Sequence, residues 1–290
     1  MSRLVEVEPG VRLHVQDLGE GQPVVLIAGF GLSHPVWDAE VRELIAAGHR
    51  AVCIDLRGTG GSDKPAGDHS IERHSRDVQA VLEQLDLRDA TLVGWSFGGQ
   101  VCFHLTGMAP ERVARLALVC SHGVRASRSQ EFPFGAPPAR VLRHMIDAEL
   151  ADRIAARSEA LLMGFPEGLT PSPDLVDFLL RMYLQMPSWC AVAWCQSYLE
   201  TDLTHLLGKV TQPVLQVVGG ADRVTSPEGA RWLAERLADA RVVELHGVGH
   251  FPMFEAGAEF RAALLEFVSA HPSPATHIRG ASSVHVQSTT

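Results

Sequence analysis

A chain of 290 residues, 46% of them hydrophobic, is long enough to bury one large core and does not require two independent domains. Acidic residues exceed basic ones by 34 to 25, and the net charge of −9 argues against a nucleic-acid partner. The apolar stretches are shorter than the roughly 20 residues that cross a bilayer, and the N-terminus carries acidic residues where a signal peptide would be apolar. We therefore expect a cytoplasmic protein that acts on a small molecule and not on a membrane.

The first third of the chain alternates between strand and helix patterns. Two alternating segments, Leu4–Glu8 and Val11–Asp17, flank Pro9-Gly10 and predict an edge hairpin. Four short apolar runs without strict alternation indicate strands that are buried on both faces: Val24–Ala28, Ala51–Ile54, Thr91–Val93 and Leu116–Val119. Helical patterns lie between them, at about Pro35–Ala47, Ile71–Leu85 and Gly98–Met108. This order predicts an α/β fold with a mostly parallel, doubly wound sheet.

The pattern changes in the middle of the chain. Residues 124–207 contain seven prolines among amphipathic helical stretches, with no buried-strand signal, and predict a helical cap inserted into the sheet domain. Strands resume at Pro213–Val218 and Arg241–Leu245, with helices near Glu228–Leu237 and Ala256–Ala270. The expected organisation is a core of residues 1–123 and 208–271, a cap of residues 124–207, and a disordered tail of residues 272–290 that is rich in Ser, Thr, His and Pro.

The strongest motif is Gly94-Trp95-Ser96-Phe97-Gly98, which follows a strand pattern and precedes a helical one. A G-x-S-x-G motif in that setting forms a turn so tight that small residues are needed on both sides, and it projects the serine hydroxyl above the sheet. The bare pattern also occurs by chance, in which case it would be only a glycine-rich turn. Its position between strand and helix favours Ser96 as a nucleophile.

A serine nucleophile needs a base, and the base needs an acid that orients it. Asp222 follows the strand Pro213–Val218, and His250 follows the strand Arg241–Leu245 between glycines. Sites in open α/β sheets form at the carboxyl ends of strands. Each residue alone has an ordinary explanation, as a helix cap or as one of 14 histidines. Together, in the order serine, acid, histidine, they predict a catalytic triad.

Acyl transfer also needs two N–H donors for the oxyanion that develops on the substrate. One donor is expected from Phe97, the residue after the serine, and the other from Phe30 in the turn Gly29-Phe30-Gly31. Gly29 and Gly31 also make a tight turn possible. Forming the turn and presenting an N–H group to the oxyanion are compatible roles.

These motifs, spread over residues 22–267, resemble the α/β-hydrolase superfamily. The stretch Gln22–Ile27, the turn Gly29–Ser33 and Trp37 are similar to its esterase and cofactor-free haloperoxidase (perhydrolase) branch, and the loop Asp55–Ser62 is similar to the superfamily's loop after the fourth strand. The resemblance implies an α/β-hydrolase fold with a helical cap and no cofactor. Enol-lactone hydrolases and C–C bond hydrolases share much of the pattern.

The chain departs from the family at Ala28, where members usually carry a histidine that supports the oxyanion turn. Weaker support of that turn is therefore expected. Some members place the acid after the sixth strand, but the sequence there is Cys120-Ser121-His122-Gly123 and offers no carboxylate. Its absence favours Asp222 as the acid.

Other residues are weaker candidates for the substrate pocket. His34 and His122 follow strand ends, and Trp95 adjoins Ser96, although ordinary loop and packing roles explain all three. Trp189 and Trp194 belong to an apolar and aromatic group in the predicted cap, where they are assigned to packing with some pocket-facing surface.

No metal or cofactor is expected. Cys190 and Cys195 lack partners at zinc spacing, and Gly58–Gly61 lacks the Lys-Ser/Thr of a P-loop. The five cysteines are expected to be reduced and buried, as in a cytoplasmic protein: Cys53, Cys102, Cys120, Cys190 and Cys195.

The sequence therefore predicts a serine hydrolase that cleaves an ester or lactone of a small to medium hydrophobic acyl substrate through an acyl-enzyme. C–C bond hydrolysis of a diketone-type substrate and perhydrolysis remain alternatives with the same triad. A ligand-binding homologue with little turnover is the alternative from another class. Epoxide hydrolases and haloalkane dehalogenases are disfavoured because they use an aspartate where this chain has Ser96.

Overall fold

The computed structural model describes residues 1–135 and 137–270, and the predicted tail of residues 272–290 lies outside them. Eight strands form one sheet in the order β1-β2-β4-β3-β5-β6-β7-β8. Their bounds are Ser2–Glu8 (β1), Val11–Leu18 (β2), Pro23–Ile27 (β3), Arg50–Ile54 (β4), Ala90–Trp95 (β5), Val113–Val119 (β6), Val214–Gly219 (β7) and Ala240–Leu245 (β8). The predicted α/β-hydrolase architecture with a mostly parallel sheet is confirmed.

The sheet has an antiparallel edge and a parallel body. Strands β1 and β2 form the expected hairpin, and β2 pairs antiparallel with β4, with Val15 opposite Ile54. From β4 through β3 to β8, every neighbouring pair is parallel. All residues of β3, β5 and β7 are buried, which explains why their sequences are continuous apolar runs. Strand β2 alternates because only one of its faces is fully buried.

Helices cover the sheet and fill the long connection after β6. Those of the sheet domain are Asp38–Ala46 (α1), Ile71–Gln84 (α2), Phe97–Met108 (α3), Pro227–Ala234 (α8), Pro252–Glu255 (α9) and Gly257–Ser269 (α10). Between β6 and β7 lie Pro138–Ala151 (α4), Arg153–Met163 (α5), Pro173–Tyr183 (α6) and Ser188–Glu200 (α7), which we call the cap. None of the helices in the described part of the chain has the length and apolarity needed to span a bilayer.

Several boundaries differ from the sequence-based ones. The strand expected at Thr91–Val93 extends to Trp95, and the strand expected at Leu116–Val119 begins at Val113. Polar residues such as Arg115 interrupt the apolar run, but they continue the ladder, with Arg115 opposite Thr91. Local composition therefore marks the centre of a strand more accurately than its ends.

A buried ion pair holds the cap together. The Arg157 side chain is 1% exposed, and its Nε donates to Glu149 Oε2 at 3.0 Å. Its Nη1 also donates to the carbonyl oxygens of Tyr183 and Met186, at 2.5 and 2.8 Å. Because one guanidinium binds a carboxylate on α4, the last carbonyl of α6 and a carbonyl of the α6–α7 connection, it fixes the position of that connection.

Glu40 gives the fold a pH-dependent stability. It is 1% exposed on α1, and its Oε1 lies 3.4 Å from Nη1 of Arg261 on α10. Burial raises the pKa of Glu40 from 4.5 to about 7. The unfolded chain therefore loses this proton at lower pH than the folded protein does, so stability is full below pH 4.5 and falls as pH rises towards 7.

We predict that Glu40→Gln removes this dependence. The free energy of unfolding of the variant should equal that of wild type near pH 4.5. At pH 8 it should be higher by up to about 3 kcal/mol, because the variant has no buried charge. Urea unfolding at the two pH values measures the difference. Glu43→Gln, at a half-buried position of the same helix where the carboxylate pairs with Arg42, is the control. A variant that is no more stable than wild type at pH 8 would contradict the prediction.

Candidate active site

Ser96 lies on the turn between β5 and α3, with φ 52° and ψ −117°. A side chain rarely adopts positive φ, and such a conformation costs roughly 1–3 kcal/mol. The flanking glycines are required by space: a Cβ on Gly94 would lie 2.4 Å from the Gly98 oxygen, and one on Gly98 would lie 2.6 Å from the Ala28 oxygen. The motif thus has the strand–turn–helix geometry that the sequence predicts. It raises Ser96, which is 6% exposed, at the carboxyl edge of the sheet.

His250 and Asp222 form a hydrogen-bonded pair at the same edge. His250 Nδ1 and Asp222 Oδ2 are 2.8 Å apart, and the Asp222 side chain is inaccessible to solvent. The other carboxylate oxygen accepts N–H groups of Val224 and Thr225, at 2.7 and 3.0 Å. With Nδ1 engaged by the carboxylate, Nε2 is the nitrogen left to take a proton from a nucleophile.

Trp95 ties the His250 loop to the serine turn. Its indole N–H donates to the His250 carbonyl oxygen at 2.9 Å, and Trp95 immediately precedes Ser96. Its ring is 1% exposed and packs edge-on against Trp37 and Phe251. Trp95 is therefore a packing and positioning residue at the boundary of the site.

Glu255 fixes the His250 loop from the other side. Its two carboxylate oxygens accept the N–H groups of Gly249 and Phe251, each at 2.8 Å, so that the carboxylate brackets His250. Burial raises the pKa of Glu255, while the two N–H bonds oppose that rise. The His250 N–H donates to the Gly164 oxygen of the cap at 2.7 Å. The loop is thus held by the core and by the cap together.

The turn after β3 lies directly against Ser96. A Cβ on Gly29 would be 3.3 Å from the Ser96 Cβ, and Gly31 has φ +72°. The Leu32 N–H donates to the Gly29 oxygen at 3.1 Å, which closes the turn. A Cβ on Gly31 would be 2.3 Å from the Tyr183 ring, so the cap packs on this turn and excludes a larger residue.

Asp55 supports the far end of this turn. Its Oδ1 accepts the His34 N–H at 2.7 Å and lies 3.0 Å from His34 Nδ1. Burial would raise the pKa of Asp55, but hydrogen bonds from His14 and His34 hold it well below its usual value. The same bond raises the pKa of His34. The His34 side chain is thus engaged by Asp55, and this contact anchors the chain directly after the turn Gly29–Ser33.

Aromatic residues of the cap cover the serine turn. Trp194, on α7, is fully buried and stacks on Phe97 at 4.1 Å between ring centroids. Its indole donates to His69 Nδ1 at 3.1 Å. Phe30 packs edge-on against Phe97 and Trp194, at 6.1 and 5.5 Å. The predicted donors Phe30 and Phe97 are therefore neighbours under the cap.

Trp189 and His122 are two further residues that the sequence analysis assigns to the pocket. Trp189 is 57% exposed and donates to the Lys64 oxygen at 3.4 Å, which places it on the outer surface of the cap. Trp189 and Trp194 are five residues apart and point to different sides of α7, and a pocket-facing role for Trp189 stays a prediction. His122 is 5% exposed, and its Nε2 lies 3.0 Å from the Ser226 oxygen at the start of α8. Burial lowers the pKa of His122, and its contact with substrate stays a prediction.

Two groups in the described residues bring atoms able to bind a metal within 4.8 Å of one another. One is His14, His34 and Asp55, and the other is Cys120, Asp222 and His250. Two atoms of each group are joined by a hydrogen bond already described, His34–Asp55 in the first and His250–Asp222 in the second. The five cysteines are free and buried, as expected. The expectation of no metal and no cofactor stays a prediction.

Comparison with known proteins agrees with this geometry. Residues 22–257 match the family model described as alpha/beta hydrolase fold. The chain belongs to the α/β-hydrolase family. It is 31% identical to a non-heme chloroperoxidase of Streptomyces lividans, over 91% of this chain and 98% of that one. It is 28% identical to a pimeloyl-[acyl-carrier protein] methyl ester esterase of Nitrosomonas europaea, over 86% and 96%.

A solved structure shows the same fold. An esterase from Exiguobacterium antarcticum superimposes with a TM-score of 0.89 at 23% identity, covering 93% of this chain and all of the esterase. This α/β hydrolase is therefore an enzyme with esterase and haloperoxidase-like neighbours.

We predict that Glu255→Gln slows this enzyme several-fold. An amide nitrogen cannot accept a hydrogen bond, so one of the two N–H groups beside His250 loses its acceptor, which costs roughly 1 kcal/mol. Most of the loss should appear in kcat, because the loop holds the proposed base and not the substrate. Steady-state kinetics on any ester that the enzyme hydrolyses measures this loss, with Glu259→Gln, at an exposed position of α10, as the control. Unchanged kcat would show that the loop keeps its geometry without this carboxylate.

Proposed function

We propose that this α/β hydrolase is a serine hydrolase that cleaves an ester or lactone of a small to medium hydrophobic acyl substrate through an acyl-enzyme. The observation that carries the proposal is the strained Ser96 turn at the same sheet edge as the His250–Asp222 pair, whose atoms are 2.8 Å apart. An unfavourable backbone conformation enclosed by glycines is a feature of nucleophile turns.

In the proposed mechanism, His250 removes the Ser96 proton as Oγ attacks the substrate carbonyl carbon. Asp222 holds the imidazole tautomer and stabilises its charge. The N–H groups of Phe30 and Phe97 stabilise the tetrahedral oxyanion, aided by the positive end of α3. His250 then protonates the leaving group, and afterwards it activates a water molecule that hydrolyses the acyl-enzyme.

The proposed substrate class is supported by the residues packed around the serine turn. The residues over the serine turn include Phe30, Phe97 and Trp194, which are aromatic and uncharged. Apolar surroundings of this kind favour an apolar acyl group because it loses no hydrogen bonds on leaving water. The esterase name of the Nitrosomonas relative agrees with ester cleavage.

Perhydrolysis is the second candidate, supported by the name of the chloroperoxidase relative. In that reaction hydrogen peroxide replaces water in attack on the acyl-enzyme and yields a peracid. Both candidates use the same acyl-enzyme and differ only in the second nucleophile.

We predict hydrolysis of p-nitrophenyl esters within the acetyl to decanoyl series. Ser96→Ala and His250→Ala should each lower kcat by at least about ten-thousandfold, because they remove the nucleophile and its base. His246→Ala, at an exposed position of the same loop, is the matched control and should retain activity. Adding peroxide to the wild-type reaction tests for peracid formation.

The outcome separates the candidates. A clear optimum of acyl length with both variants inactive supports the esterase proposal. A wild-type protein that turns over none of the esters or lactones would contradict it and would favour a ligand-binding role. Full activity in Ser96→Ala would contradict the mechanism.

A further inference from the structure

Two histidines and an aspartate from three separate segments converge beside the turn after β3. His14 lies on β2, His34 directly follows the turn Gly29–Ser33, and Asp55 directly follows β4. One nitrogen of each histidine and one carboxylate oxygen all lie within 4.8 Å of one another. The expectation of no metal rests on cysteine spacing and glycine motifs, so it does not consider donors that only the fold brings together.

The distances in this group are close to those of a tetrahedral zinc site. His14 Nδ1 lies 3.2 Å from Asp55 Oδ2, and His34 Nδ1 lies 3.0 and 3.1 Å from the two carboxylate oxygens. Two ligands of a tetrahedral zinc ion, each bound at about 2.0–2.1 Å, are about 3.3–3.4 Å apart. Each nitrogen–oxygen distance is therefore within a few tenths of an ångström of what a shared ion requires.

The His14 ring provides a second observation that favours a cation. Its Nδ1 is buried, the direction of its contact with Asp55 is poor for a hydrogen bond, and the atom has no other hydrogen-bond partner among the described residues. A buried polar atom without a well-directed partner is unfavourable. A cation held between this nitrogen and the carboxylate would use its lone pair.

Hydrogen bonds from the backbone hold the donors in place. The Asp55 carboxylate accepts the N–H groups of His34 and Gly61, at 2.7 and 3.0 Å, and the His14 N–H donates to Ser62 Oγ at 2.8 Å. Such bonds to the ligands are typical of metal sites. The Asp55 side chain is inaccessible to solvent, whereas the side chains of His14 and His34 are 19% and 21% exposed. An ion can therefore enter past the two rings.

The other group of possible ligands is a poorer candidate. Cys120 and the Asp222 side chain are inaccessible to solvent, and His250 is 7% exposed. His250 Nδ1 and Asp222 Oδ2 already form the 2.8 Å hydrogen bond of the proposed triad. A cation between them would remove the bond that orients the proposed base.

We propose that His14, His34 and Asp55 form a zinc-binding site, in which the two Nδ1 atoms and one carboxylate oxygen bind the ion and water completes the tetrahedron. Two imidazole nitrogens and a carboxylate are a donor set that zinc accepts. The hydrogen between His34 Nδ1 and Asp55 is displaced as the ion binds, to Nε2 of a neutral imidazole or to solvent from an imidazolium.

The site is structural, because it lies at the end of the turn Gly29–Ser33 that is farther from Ser96. The ion links three segments: strand β2, the residue after this turn, and the loop that follows β4. Binding therefore stabilises the turn that carries Phe30. The proposal does not depend on the function proposed for Ser96.

The test is equilibrium dialysis of the full-length protein against Zn²⁺ after treatment with a chelator, with elemental analysis of the bound metal. Wild type should bind one zinc ion per chain, and its thermal midpoint should rise with zinc. His14→Gln and His34→Gln should each weaken binding by at least about tenfold, because glutamine lacks the imidazole nitrogen. His246→Gln, at an exposed position after β8, is the matched control and should bind zinc like wild type.

Two results of the dialysis would overturn the inference. One is a wild-type protein that binds no zinc. The other is unchanged affinity in both His14→Gln and His34→Gln, since a different member of the 14 histidines would then hold the ion. Thermal midpoints of the variants close to that of wild type, measured without zinc, show that lost binding is not caused by misfolding.

X-ray absorption at the zinc edge tests the site in wild type alone, so it remains decisive if a variant fails to fold. The proposed site gives only nitrogen and oxygen ligands, with imidazole scattering. A sulfur ligand would place the ion at Cys120 or another of the five cysteines and would overturn the inference.

Discussion

The backbone at Ser96, where strand β5 passes into helix α3 without a loop, constrains the rest of the site. The serine adopts φ 52° and ψ −117° at the point where the chain reverses direction between the strand and the helix. The helix then packs so close to β3 that a Cβ on Gly98 would lie 2.6 Å from the Ile27 oxygen. Folding must offset the roughly 1–3 kcal/mol of local strain, and the fully buried strands around the turn provide that stabilisation.

Parallel pairing determines which other groups reach the serine. Strands β5 to β8 are consecutive neighbours, so the residues after β7 and β8 emerge at the same edge as Ser96. Long-range hydrogen bonds then fix their positions. Trp95 binds the His250 carbonyl oxygen, and Glu255 brackets the loop. Because Gly164 of the cap accepts the His250 N–H, displacement of the cap would also disturb the proposed base.

The sequence predicts some parts of this site much better than others, for physical reasons. Ser96, Asp222 and His250 lie in short glycine-bearing segments after apolar strands, so local pattern and strand order are enough to nominate them. The position of Glu255 depends on tertiary packing, because nothing near it in sequence indicates the two N–H groups that its carboxylate binds.

The sequence also does not predict which face of helix α7 packs against the core. Its sequence is apolar on several sides, so its periodicity does not reveal which face meets the core. The structure buries Trp194 fully and leaves Trp189 57% exposed. The fold class, the edge hairpin and the helical connection between β6 and β7 follow from strand patterning, whereas the inward face of the cap follows only from its contacts with Phe97 and Gly31.

The central claim is that Ser96 carries the acyl group during turnover. Rapid mixing with an ester, acid quenching within the first turnover and peptide mapping by mass spectrometry test it directly. The account predicts an acyl mass increment on the peptide that contains Ser96, and none on that peptide in Ser96→Ala. An acyl group on another residue, or hydrolysis with no covalent adduct at any quench time, would contradict it.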